Sequence, residues 1–123
     1  MNAFSMAQRA YAPTAAPTRT ARSAEYDVIA RITFRLKRAA ECKDHGALVA
    51  ALHENRMLWT TLAADVADPD NLLPAELRAK IFYLAEFTHH HTSLVLRDHV
   101  SAVPLLEVNT AILRGLKQEG AGQ

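Results

Sequence analysis

The stretch "NRMLWTTLAADVADPDNLLPAELRAKI", Asn55 to Ile81, decides how the chain folds. Its first half repeats apolar residues at helical spacing, then stops in a turn of Asp, Pro and Asn, and helical spacing resumes after Pro74. Followed leftward, Leu48, Leu52, Asn55, Trp59, Leu62 and Val66 are spaced 4, 3, 4, 3, 4, a seam one residue wide of the kind helical bundles use. Followed rightward, Leu77, Ile81, Leu84, Thr88, His91 and Val95 repeat the same spacing. The stretch therefore reads as a joint between a helix B over 47–67 and a helix C over 74–102. Pro69 follows a capping Asp68, Pro74 suits the first turn of helix C, and Glu76 lies near that helix's positive end.

Outward from the joint the same logic holds. Gly46 lies in a "DHG" turn and closes a helix A that starts after Thr20 or Ser23 and runs to about Lys43. Its stripe is Ile29, Ile32, Leu36 and Ala39. Before it, "APTAAPTRTARS" reads as an extended linker, because Pro13 and Pro17 exclude a regular helix there. Residues 2–11 read as a short helix with Phe4 and Tyr11. Pro104 opens a short helix D to about Leu116, with Leu105, Val108, Ile112 and Leu116 on one face and Gly115 weakening its last turn. The expected fold is all-α: a small antiparallel helical bundle of three long helices and a short C-terminal one, with short turns between neighbours. The expected organisation is a flexible N-terminal arm and linker over 1–23, one helical domain over 24–117 and a mobile tail over 118–123.

Composition bounds the function. Half of the 123 residues are apolar, enough for one domain with a core and no staples. The net charge is +1, yet residues 1–38 carry seven Arg or Lys against Glu25 and Asp27, a net of +5, while residues 39–123 carry −4. That asymmetry fits a basic arm for RNA or an acidic partner, or a solvated arm and helix face. Cys42 is alone, so no disulfide forms within the chain and reducing cytosol is the simplest compartment. No apolar run approaches a membrane span. Residues 1–24 hold Arg, Ser and Ala without an acid until the start of helix A, which is also the composition of an organellar transit peptide.

Candidate sites are few. Asp65, Asp68 and Asp70 lack the central Gly and terminal Glu of a calcium loop and read as caps and solvated charge. His89, His90 and His91 are consecutive, so on a helix they point about 100° apart and cannot converge on one ion. His91 lies on the stripe and reads as a hydrogen-bonded seam histidine. No nucleophile elbow, phosphate loop or zinc-protease motif is present, so the chain reads as no enzyme, with no cofactor and no metal. What remains is apolar surface. "KIFYLAEF" is apolar around nearly the whole helix, and Phe34, Phe82, Tyr83, Phe87 and Leu94 fall off the main stripes. They are the candidate partner-binding residues, unless helices A, D and the N-terminal segment cover them. Trp59 reads as core. Asn55 either fixes register or bonds a loop carbonyl, and Arg56, Asp65 and Arg78 are the charges expected to form a network that sets the angle between helices B and C.

The joint also carries a resemblance. Asn55, Arg56, Leu58 and Trp59, then Asp65, then Asn71, Leu73, Pro74, Leu77 and Arg78 match an N-R-x-L-W, acidic, N-x-L-P-x-x-L-R pattern. The close, Val108, Asn109, Ile112, Gly115 and Leu116, matches a further I/V-N-x-x-I-x-x-G-L pattern. Together they resemble the bacterial FlaF family of flagellar biosynthesis regulators over roughly residues 24–117. The resemblance implies a non-enzymatic cytoplasmic protein that binds flagellin by flagellin's own terminal helices, promotes flagellin synthesis and export, and acts against the translational repressor FlbT. The alternative is an RNA-binding regulator of flagellin messenger acting through the basic N-terminal third.

Overall fold

The computed structural model describes the backbone of residues 17–121 and the side chains of residues 25–116. Four helices follow one another there: α1 (Pro17–Glu41), α2 (His45–Ala67), α3 (Ala75–Asp98) and α4 (Val103–Ala121). Among the described residues there is no strand. The short helix expected over 2–11 and Pro13 lie outside them.

Several boundaries differ from the expected ones, each for a local reason. The first helix begins at Pro17, before Thr20. Proline is tolerated at a first helical position, where its missing N–H has no partner to lose, so Pro17 opens α1 instead of excluding it. Its last turn ends at Glu41, and Lys43 takes a left-handed backbone (φ 55) that reverses the chain. Asp44 then accepts from the backbone N of Ala47 at 3.1 Å and caps α2, which starts at His45. Gly46 is thus the second residue of α2 and not a turn glycine. Asp44→Ala is expected to lower stability by about 1 kcal/mol in urea unfolding; an unchanged midpoint would show that the cap contributes nothing.

Helix α3 stops at Asp98, short of Ala102, because His99 is left-handed (φ 56) and its N–H closes onto the Val95 carbonyl at 3.1 Å. Ser101 Oγ accepts from Val103 N at 3.1 Å and starts α4. That last helix is not short: its 19 residues run to Ala121, through Gly115.

The helices form a four-cornered bundle in which α1 and α3 each pack on α2 and α4. Arg56 reaches Ser93 while Thr60 meets His89, so α2 and α3 run antiparallel. The expected stripes of α1 and α2 lie in the core except at half-buried Leu48, whereas those of α3 and α4 mix buried residues with half-buried Leu77, Leu84, His91, Val108, Ile112 and Leu116. Ile29, Ile32, Leu36 and Ala39 of α1 are all buried, as are Leu52, Asn55, Trp59, Leu62 and Val66 of α2. The apolar core falls into two clusters, one around Trp59, Leu62 and Ile81 and one around Leu36, Leu52 and Leu105. Polar residues are buried on all four helices too: Glu25 on α1, Asn55 and Asp65 on α2, Thr88 and Thr92 on α3, and Asn109 on α4.

Candidate functional site

Asn109 is the hub of a buried polar layer. Its Nδ2 donates to Asn55 Oδ1 at 2.8 Å and to Thr33 Oγ1 at 3.0 Å, and its Oδ1 accepts from Trp59 Nε1 at 2.8 Å. One amide thereby ties α4 to α1 and to α2. Trp59 is wholly buried, as expected of a core residue. Asn55 bonds this amide and not a loop carbonyl. Such a layer rewards one register only, because a one-turn slip of α4 would leave buried polar groups without partners.

The helix α2–α3 joint is held by side chains bonding to backbone. Asp68 Oδ1 accepts from Asp70 N at 2.8 Å, Asn71 Nδ2 donates to the Asp65 carbonyl at 3.1 Å, and Asn71 Oδ1 accepts from Leu73 N at 3.0 Å. Pro74 sits at the N-cap of α3. Asp65 is fully buried here and Arg78 half-buried. Arg56 is not part of a network at this joint. It lies more than two turns away and donates to the His89 carbonyl (3.2 Å) and Ser93 Oγ (3.0 Å), pinning the middle of α2 to the middle of α3. Burial, and then the nearby Arg56 charge, hold the His89 imidazole below the ordinary histidine range.

The side of the bundle between α3 and α4 is different. A cavity of about 100 Å³ lies there, walled by Leu73, Leu77 and Leu84 on one side and by Ile112, Gly115 and Leu116 on the other. Lys80 is the one charged residue in its lining. At the far end of this seam His91 Nε2 donates to the Ser101 carbonyl at 2.8 Å, and its ring stacks on Phe87 with centroids 5.6 Å apart. His91 is hydrogen-bonded, as expected, to the turn that joins α3 and α4.

The five expected partner residues do not form one surface. Tyr83, Phe87 and Leu94 are spaced 4 and 7 and share the side of α3 that carries Lys80 and Leu84. Tyr83 is 68% exposed, and Phe87 and Leu94 are half-buried. Phe82 is exposed around the helix from them. Phe34 is exposed on α1, with the Arg38 guanidinium over its ring at 5.8 Å. Two features escaped the reading of the sequence: the cavity itself and Leu72, 82% exposed at the joint. The cavity had one signal, Gly115 inside a helix.

Among the described residues no group of three His, Cys, Asp or Glu side chains is placed to hold a metal ion, and no helix is long and apolar enough to cross a membrane. Residues 7–116 match the family model described as flagellar protein FlaF. The chain belongs to the FlaF family. No curated protein and no solved structure matches it. The FlaF match begins at residue 7, earlier than the resemblance over 24–117, and so takes in the start of α1. In this FlaF chain the motif residues are mostly structural in placement: Asn55, Trp59 and Asn109 meet in the polar layer, Asn71, Leu73 and Pro74 build the joint, and Leu77 and Gly115 face the cavity.

Proposed function

We propose that this FlaF chain is a non-enzymatic cytoplasmic chaperone that binds flagellin, promotes its synthesis and export, and acts against FlbT. The observation that supports this reading is the apolar cavity at the α3–α4 seam, lined by half-buried Leu77 and Leu84 of α3, with Tyr83 68% exposed elsewhere on the same helix. A flagellin's terminal helices are amphipathic and must stay unpolymerised before export. A small bundle with a spare apolar seam can hold such a helix by its greasy face, and needs no catalytic group to do so.

Tyr83→Ser combined with Phe87→Ser is expected to weaken flagellin binding at least about tenfold, roughly 1.4 kcal/mol or more, since aromatic anchors dominate such contacts. Isothermal titration reads the affinity. Circular dichroism and melting should stay close to the parent for Tyr83→Ser alone, because that ring is exposed. Undiminished flagellin binding by the double variant would sink the assignment of this face. The RNA reading predicts affinity that falls steeply with salt. Its basic third is partly engaged already: Arg35 forms two bonds to Glu54, at 2.8 and 2.7 Å, and Arg38 covers Phe34.

A further inference from the structure

Gly115 is the least explained residue of α4. Glycine inside a helix is unfavourable relative to alanine, and is usually retained for a left-handed backbone or a close approach. Neither applies here. Its φ is not positive, and a Cβ built on it would meet no atom within 4 Å. The position instead forms part of the cavity wall, opposite Leu77 and Leu84. Ala111, one turn earlier on α4, lines the same wall. A helix laid along the seam therefore meets Ala111 and Gly115 between Ile112 and Leu116 on the α4 side and leucines on the other, with Tyr83 and Phe87 further round α3, outside the cavity wall.

The geometry points to a docking site at which Gly115 keeps the α3–α4 groove open for one large aliphatic side chain of a partner's amphipathic helix, with Lys80 pairing a carboxylate about one turn away on that helix. The volume near 100 Å³ is of the order of a single aliphatic side chain, not of a whole ligand. The charge complement follows from the lining: Lys80 alone is charged there, so an acidic neighbour is attracted and a basic one repelled. This inference rests on the reading of the chain as a helix-binding chaperone and adds where the helix anchors and what it must carry.

The test uses full-length protein, flagellin, and two synthetic helical peptides. Both peptides carry one leucine stripe; one flanks it with glutamates, the other with lysines. Gly115→Ala is expected to melt about 3–5 °C above the parent, since it removes the helix penalty in open space. Gly115→Leu is expected to stay folded and to lose at least about tenfold in affinity for the glutamate peptide and for flagellin, because its side chain fills the groove. Lys80→Glu is expected to reverse the preference between the peptides.

Parent-like binding of the glutamate peptide by Gly115→Leu, or an unchanged preference in Lys80→Glu, overturns the proposal. So does a dimer of the parent that Gly115→Leu dissolves, since a second copy is then the occupant. Nuclear Overhauser contacts from Phe4 or Tyr11 to the Leu77 and Ile112 methyls of the free protein overturn it too, since the chain's own start then fills the groove. The two readings fail separately. Flagellin that binds the parent and Gly115→Leu equally leaves the chaperone standing and removes the groove. Flagellin that binds neither removes the chaperone, and the peptides then decide the groove alone.

Discussion

Unfolded in urea, Asn109→Ala is expected to be less stable than the parent by about 3–5 kcal/mol. The figure follows from what the amide holds. Its loss leaves Trp59 Nε1 without an acceptor and removes the donor to Asn55 Oδ1, both in fully buried positions. Each buried polar group so stranded costs about 1–3 kcal/mol. The amide's own volume becomes a void in addition. Set against a total of roughly 5–15 kcal/mol for a domain, the change removes a large share of the folding free energy. Asn109→Asp separates the two roles of the amide. It keeps the acceptor for Trp59 and loses the Nδ2 donor, and it places a charge where burial disfavours one. It should be no better than Asn109→Ala at neutral pH. A loss below about 1 kcal/mol for Asn109→Ala would mean that the layer is not the register device that its geometry describes.

Trp59→Ala is expected to cost about 3–5 kcal/mol, the usual range for emptying a large aromatic from a core. Trp59→Phe keeps most of the bulk but strands Asn109 Oδ1, and should cost about 1–3 kcal/mol. In a double-mutant cycle the Trp59 and Asn109 replacements should couple by about 1–3 kcal/mol, since each breaks the same bond. Trp59 is the only tryptophan, so the parent's fluorescence reports this site directly. Blue-shifted emission that resists quenchers is the expected result. A water-like maximum would contradict a side chain with no exposed surface.

Much of the architecture was legible because one physical signal, apolar spacing near 3.6, is strong along most of the chain. The stripes on α1 and α2 match buried residues at every position but half-buried Leu48, and Trp59 is inside. What failed were features set by single residues or by distance. By sequence alone Pro17 reads as a helix breaker, although position within the helix decides which effect proline has. Gly46 reads as a turn, whereas Lys43 turns the chain and Asp44 caps the next helix. Closeness in sequence pairs Arg56 with the charges at the joint, but its partners are 33 and 37 residues away.

The candidate site was half legible. Periodicity showed that α3 is apolar on a second side, and Tyr83, Phe87 and Leu94 are there. Nothing local to α3 could show that Phe34 belongs to a different corner of the bundle. Nor could it show that the α3–α4 seam holds a cavity, because a cavity is the gap between two elements and no residue encodes it alone. Gly115 came nearest: read as a weak last turn, it is a helical position that an ordinary side chain could fill.

The polar layer has a mechanical consequence. Asn109 fastens α4 to α1 and α2, and Arg56 fastens α3 to α2. Among the described residues the one side-chain hydrogen bond from α3 toward α4 is His91 to Ser101, at the turn itself. The molecule is therefore built like a clothes-peg, joined at residues 99–102 and held by apolar contact at the end where Leu77 and Leu116 line the cavity. Parting that edge would break no buried amide bond, but it would bare the leucines that close the Trp59 cluster, so apolar contact alone keeps it shut.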